Sequence, residues 1–456
     1  MIGIRHMKAL AVLLFVSTIL TAAPRSYEAG VAKVDITPKK SIWMSGYGNR
    51  NKSSTGVLHP IWTKALAIRD TRKNVLIVVS TDLIGLPRTI TDAVSARVEK
   101  EYGIKRASLL FNSSHTHTGP YVRANLVTMF SFTPEAQTTV DDYGRDLTDH
   151  LYNAIGGALA RMEAVDIAYG TGSAGFAVNR RVPGPTGFKI GVNPKGPTDH
   201  TVPVLRVSSK RSGKPLAIVA GYACHNTTLT GEFYEMSGDY AGYAQIEMEN
   251  NNPGAIGMFL MLTGADQNPN PRSSLALAKQ HGKTLADATQ QVLDTKGLMK
   301  LLDGEITVAF ELTKLNFDAH TRETFEKELK STIPAAVRRA EFMLKAYEEG
   351  HPVRTLPYPV QAVSFGKSLT LLALGGEVVI DYAIRAQREF GKANLVVLGY
   401  SNDVPCYIPS LRVLREGGYE ANDSMIYYGQ PGPFADDVEE TVFAAVRRVM
   451  KRVTKN

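Results

Sequence analysis

Residues 74–114 read NVLIVVSTDLIGLPRTITDAVSARVEKEYGIKRASLLFNSS, and residues 115–122 continue as HTHTGPYV. The run NVLIVVSTDL is rich in β-branched and apolar residues, so it reads as a buried strand. RTITDAVSARVEKEYG places Ile90, Ala93, Val94 and Val98 at helical spacing, with Gly103 where a C-cap belongs. ASLLFNSS is again a buried strand. Strand, helix and strand form the basic α/β unit, and ligands gather beyond the carboxyl ends of such strands. That end carries His115 and His117. In extended backbone, side chains alternate with period two, so both imidazoles are expected on one side.

Working outward, the same alternation continues. AGVAKVDITP reads as a first strand ended by Pro38, and WTKALAIRD as a second. A helix is expected over 141–162. TVPVLRVSS and PLAIVAGYAC are strands around the turn KRSGK. GDYAGYAQIEMEN is a helix with Asp239 as candidate N-cap. AIGMFLMLTG is a buried strand, and 275–293 a helix. GEITVAFELTKLNF is a long strand. Residues 322–349 read as one long charged helix with a solvated face. LTLLALGGEVVI and ANLVVLGY are apolar strands flanking a helix, and 438–453 is a basic helix. The fold class is α/β, with mixed β-sheets flanked by helices and a metal site at strand ends.

Composition narrows the functional classes. The chain has 456 residues, 44% apolar and 21% charged, as in an ordinary globular protein. Its formal charge is +8; removing a leader that holds Arg5 and Lys8 leaves about +6. The basic residues are scattered and not interleaved with aromatics, which argues against nucleic-acid binding. Peripheral contact with anionic lipid or polysaccharide is compatible with this mild excess. The basic head MIGIRHMK, the apolar core ALAVLLFVSTIL and the small residues Thr21, Ala22 and Ala23 form an expected signal peptide over 1–23. The mature chain, 24–456, is then expected to be secreted or periplasmic. Cys224 and Cys406 are too few for a disulfide framework.

Four strand ends carry candidate chemistry: His115 with His117, His225 in YACHNTTLTGE, Glu377 in LGGEVVI, and Tyr407 in SNDVPCYIPS. A lone ionised carboxylate in an apolar strand is costly unless paired or bound to metal. Histidines and a glutamate are ligand types that zinc favours, and a catalytic zinc keeps one position for water. Simpler roles stand beside this: a structural histidine, a Glu377–Arg385 ion pair, a packing tyrosine. The residues by themselves leave an exported α/β protein with a metallohydrolase among its readings.

Several motifs, in order, add to this. NSSHTHTGP resembles the THTHSGP signature of the neutral ceramidase family, zinc amidases that split ceramide into sphingosine and fatty acid. AGVAKVDITP with MSGYGN is similar to that family's amino terminus. CHNTTL followed by SGDYAGYA, then LTGADQNPNP, GGEVV, SNDVPCYI and GGYEANDSMIYYG, resemble its later segments. The resemblance implies a catalytic domain over 24–456 without the family's C-terminal immunoglobulin-like domain. It implies one zinc ion held by His115, His225, Glu377 and Tyr407. It also implies His117 as proton shuttle, Tyr419 near the reacting carbonyl and Arg180 at the substrate's polar end, with Arg181 as its neighbour. The implied reaction is hydrolysis of the N-acyl amide of ceramide or a related lipid by a metal-activated water. Asp82 and Asp239 are candidates to fix a ligand's tautomer. YYGQPGPF departs from the family's YGPHT, and GGEVVIDYA from PGEFTTM, so the metal chemistry carries over better than the substrate. The alternatives are a deacetylase or esterase on acylated sugars, or a non-catalytic binding homologue. If His225 and Tyr407 reach one metal, Cys224 and Cys406 come close enough for a bridge to be tested.

Overall fold

The structure is a computed structural model that describes residues 27–185 and 187–454. The expected signal peptide lies outside the described residues. A nine-stranded mixed sheet forms the centre. Its main order is Ile256–Met261, Pro215–Tyr222, Thr201–Ser209, Glu163–Ser173, Tyr27–Asp35, Trp62–Arg69, Val75–Thr81 and Leu109–Ser113. The two outermost pairs are parallel, and the inner pairs along this path are antiparallel. Alternation along Trp62–Arg69 sends Leu66 and Ile68 into one core and Ala65 and Ala67 into another.

One core lies between this sheet and a second, Ile306–Asn316, Thr355–Phe365, Leu369–Leu374 and Leu395–Leu398. There Leu66, Val78 and Leu260 meet Val363, Leu371 and Leu398. A second core takes the inward stripes of the helices Arg88–Tyr102, Pro134–Leu159 and Val438–Val453, and a third gathers around Tyr222, Tyr240 and Leu285. Among the described residues no helix is long and apolar enough to cross a membrane.

Two local features differ from the sequence expectation. The charged helix breaks into Arg322–Glu328 and Pro334–Glu348, because Pro334 cannot continue a helix but suits its first turn. The second helix begins at Pro134 rather than 141, capped by the Thr133 hydroxyl accepting from Ala136 N–H. The hairpin Ala177–Gly184 and Gly187–Asn193, which reaches the site, was not anticipated as strands.

What positions the site is the approach of the sheet's two edges. Asn112, in the last strand, accepts from Met261 N–H at 2.7 Å and donates to Met261 C=O at 3.1 Å. One carboxamide thus replaces a ladder rung between Leu109–Ser113 and Ile256–Met261. Ser80 Oγ adds a bond to Phe259 C=O at 2.6 Å. The chain beyond Ser113 thereby meets the chain beyond Tyr222, although their strands lie at opposite ends of the sheet order.

Candidate metal centre

Beyond Ser113 the chain leaves the strand, and His115 adopts a left-handed backbone, φ +62°. The two imidazoles do converge, with Nε2 atoms 3.0 Å apart, but through this turn rather than through strand periodicity. The intervening threonine has a separate task. Thr116 and Thr118 both donate to Ser237 C=O, at 2.9 and 3.0 Å. Thr116 also forms a parallel bridge with Asn226, which aligns His115 and His117 with His225. Gly46 presses on His117: at φ +96° a Cβ there would lie 2.4 Å from Nδ1.

Glu377 and Tyr407 arrive together. Glu377–Val378 and Tyr407–Ile408 form a short parallel pair with these two residues in register. The preceding Gly376 has φ +72°, and a Cβ there would strike Ile408 and the Cys406 carbonyl. The double glycine is therefore what lets the carboxylate reach the histidines.

The four sequence-expected ligands meet in one buried cluster. Glu377 Oε2 lies 3.0 Å from His115 Nε2 and 3.1 Å from His225 Nε2. His225 Nε2 lies 3.1 Å from the Tyr407 hydroxyl. Each of the four is at most 2% exposed. Arg385, the simpler partner for Glu377, instead pairs with Glu389, Glu439 and Glu440.

The donor chemistry asks for a cation. His115 Nδ1 is 2.7 Å from Ile84 C=O, and His225 Nδ1 is 2.9 Å from Gly264 C=O. Both Nδ1 atoms therefore carry the proton, and both Nε2 lone pairs point at the carboxylate. Burial pushes His225 down to about 3, and burial with the neighbouring imidazoles pushes His117 well below its ordinary value. His225 and His117 therefore carry no second proton at pH 7. A divalent ion suits this nitrogen and oxygen set. His117 keeps another geometry open, since the ligating atoms of His115, His117 and His225 all lie within 4.8 Å of one another.

Carbonyl groups, not Asp82 or Asp239, thus set the tautomers. Asp82 accepts from Trp62 N–H and Gln245, and Asp239 from Leu229 and Tyr240 N–H. Asp239 is the first helical residue after a Gly238 cap.

Sequence reasoning missed the tyrosines around Glu377. Tyr428 donates to Oε1, and Tyr400 donates to Oε2 at 3.4 Å. It also missed Glu420, clasped between Arg180 Nε at 2.7 Å and Arg181 Nη1 at 2.5 Å. Arg180 lines the pocket, but its donors go to Glu420, to Asn268 at 3.3 Å and to the Tyr407 hydroxyl at 2.9 Å. It positions Tyr407. The cluster opens into a cavity of about 320 Å³ lined by His117, Arg180, Tyr407 and Tyr419, with Tyr47, Asn49, Asn268, Arg272 and Tyr427. Burial pushes Tyr419 well up, so its hydroxyl keeps its proton. Cys224 and Cys406 are buried free thiols.

An α/β scaffold whose remote loops bring imidazoles, a carboxylate and a phenol to one point offers a donor set that suits a divalent metal ion. Residues 27–259 match the model of the neutral/alkaline non-lysosomal ceramidase N-terminal region, and the chain belongs to that family. It is 24% identical over 278 residues to the neutral ceramidase of Pseudomonas aeruginosa, covering 57% of this chain and 39% of that one. It is 24% identical over 249 residues to neutral ceramidase B of Dictyostelium discoideum, covering 51% of this chain and 33% of that one. The matches thus span about two fifths or less of these relatives' lengths. The fold superimposes on the crystal structure of the Pseudomonas aeruginosa neutral ceramidase with a TM-score of 0.71 at 18% identity, over 93% of this chain and 74% of that one. A ceramidase complexed with C2 gives 0.70 at 16% identity, over 93% and 76%.

Proposed function

We propose that the chain is an exported zinc-dependent amidohydrolase that cleaves the N-acyl amide of ceramide or a related N-acyl lipid. The observation that carries this reading is the meeting of His115, His225, Glu377 and Tyr407 beneath a pocket that also holds His117 and Tyr419. The ion would be held by those first four residues, one per chain, within a catalytic domain over 24–456. When bound, zinc supplies a Lewis acid and lowers the pKa of a water to roughly 7.

The chain's own residues do the rest. Tyr419 keeps its proton and donates it as a hydrogen bond to the acyl oxygen as charge develops, a contribution of about 3–4 kcal/mol by analogy with other oxyanion donors. His117 receives a proton at Nε2 and returns it to the leaving amine. Arg180 holds the Tyr407 oxygen in place while Glu420 holds Arg180. Ile190 and Val192, 47% and 55% exposed on the hairpin beside the pocket, support peripheral contact with a lipid surface.

The side chains of Asn49, Thr227 and Asn268 in the pocket lining favour a second reading, a deacetylase or esterase on acylated sugars with the same metal centre. One assay separates the readings. The purified protein is analysed for bound metal, then tested for fatty acid release from ceramide and acetate release from acetylated sugars. Fatty acid release with stoichiometric zinc supports the first reading. Acetate release alone replaces it, and zinc with neither product leaves a binding homologue.

A further inference from the structure

The pocket holds a guanidinium that, among the described residues, has no carboxylate paired with it. Its lining includes Arg180 and Arg272 but no Asp or Glu. Arg180 is matched by Glu420. Arg272 is not: among the described residues its only hydrogen bond is Nη2 to the Tyr47 hydroxyl at 2.9 Å. Its Nε is buried without a partner, and among the described residues it forms no ion pair. The nearby Asp239 carboxylate is taken up by the Leu229 and Tyr240 N–H groups. A second guanidinium stands behind the first. Arg50 is 3% exposed, its guanidinium lies 5.1 Å from the Tyr47 ring, and among the described residues that guanidinium donates to the Ser45 and Phe233 carbonyls.

Tyr47 links this charge to the reacting groups. Its hydroxyl accepts from Arg272 and donates to Leu229 C=O at 3.0 Å, which pins it. Its ring packs edge-on against His117, centroids 4.9 Å apart. A pocket-lining guanidinium whose remaining N–H groups face no carboxylate is free to take an anion, and a guanidinium binds carboxylate and phosphate well.

Resting on the proposed amidohydrolase reading, and taking its related N-acyl lipid in place of uncharged ceramide, we infer that Arg272 and Tyr47 form an oxyanion subsite, so that the preferred substrate is an N-acyl amide whose amine half carries a carboxylate or phosphate. An N-acyl amino acid is the simplest such molecule. The established family relationship does not require this charge, and Arg272 here selects for it.

The test uses the zinc-loaded full chain and three substrates that share one acyl group: N-octanoylglycine, N-octanoylaminomethylphosphonate and neutral N-octanoylglycinamide. The wild type should prefer an anionic substrate by more than about tenfold in kcat/KM. Arg272→Met should lower kcat/KM on that anion by about 10- to 100-fold more than on the neutral amide, with the difference mostly in KM. Arg272→Lys should recover part of the preference, which excludes misfolding as the cause. Whichever anion is favoured identifies carboxylate or phosphate as the natural group. Equal loss on charged and neutral substrates, or a wild type that prefers the amide, overturns the subsite. If the wild type cleaves none of the three, the amidohydrolase reading fails for this class. Calorimetric titration then decides the subsite alone: an anion must bind the wild type at least about tenfold tighter than the amide and lose that advantage in Arg272→Met, and equal binding overturns it.

Discussion

Replacing Glu420 with glutamine probes the support of the metal pocket without touching a proposed ligand. Glu420 is 1% exposed and bonds Arg180 at 2.7 Å and Arg181 at 2.5 Å. Arg181 keeps a second carboxylate, Glu416, at 3.0 Å; Arg180 has none. The native cluster is therefore neutral, and the variant leaves one buried cation unpaired. Glutamine can still accept one guanidinium bond, but its amide turns a donor toward the other. Breaking a buried pair from one side costs about 3–5 kcal/mol. That is a large part of the total for a protein stable by roughly 5–15 kcal/mol. Urea unfolding at pH 7 should show this loss, while Glu416→Gln, whose carboxylate is partly exposed and which leaves Arg181 its bond to Glu420, should cost less. The pH dependence follows from the same contacts. Burial would raise the Glu420 carboxyl, but Arg180 and Arg181 outweigh it and hold the group below its ordinary value. A depressed carboxyl contributes stability above its unfolded pKa of about 4.3 and loses it as pH falls through the folded value. The gap between wild type and Glu420→Gln should therefore shrink below about pH 4.3. A cost under about 1 kcal/mol at pH 7, or a gap constant down to the acid transition, would refute the buried-pair argument.

Three further outcomes follow from the geometry. His115→Ala should lose bound metal, whereas His117→Ala should keep it and lose turnover; equal metal loss, measured by atomic absorption, would make His117 a ligand. Tyr428→Phe removes the hydroxyl that orients Glu377 and should weaken metal affinity about 10- to 100-fold, read by competition with a chelating dye. Asn112→Ala strands the Met261 N–H in a buried edge contact and should cost about 2–4 kcal/mol in chemical denaturation.

The sequence exposes the parts of this molecule that depend on local pattern. The strands around residues 62–113 and 201–261 announce themselves by apolar runs, and Glu377 stands out because a carboxylate is costly in such a run. The ligand set came from motif resemblance, since no local rule joins residue 115 to residue 377. The convergence of His115 and His117 was expected for the wrong reason: period two fails once His115 turns left-handed. Pro334 breaks the helix between residues 322 and 349, a break that the continuous charge pattern on either side masks. Tyr428, Glu420 and Arg272 were illegible for a different cause. A tyrosine or an arginine is chemically silent until the fold decides which carboxylate it faces, or that it faces none.

The central claim is most directly tested by anomalous diffraction at the zinc edge from crystals of the metal-replete protein. The account predicts one strong peak within bonding distance of His115 Nε2, His225 Nε2, a Glu377 oxygen and the Tyr407 oxygen, at roughly 2.0–2.2 Å from the nitrogen and carboxylate donors. A peak bound by the three histidines with Glu377 turned away, or zinc only at the protein surface, would contradict it.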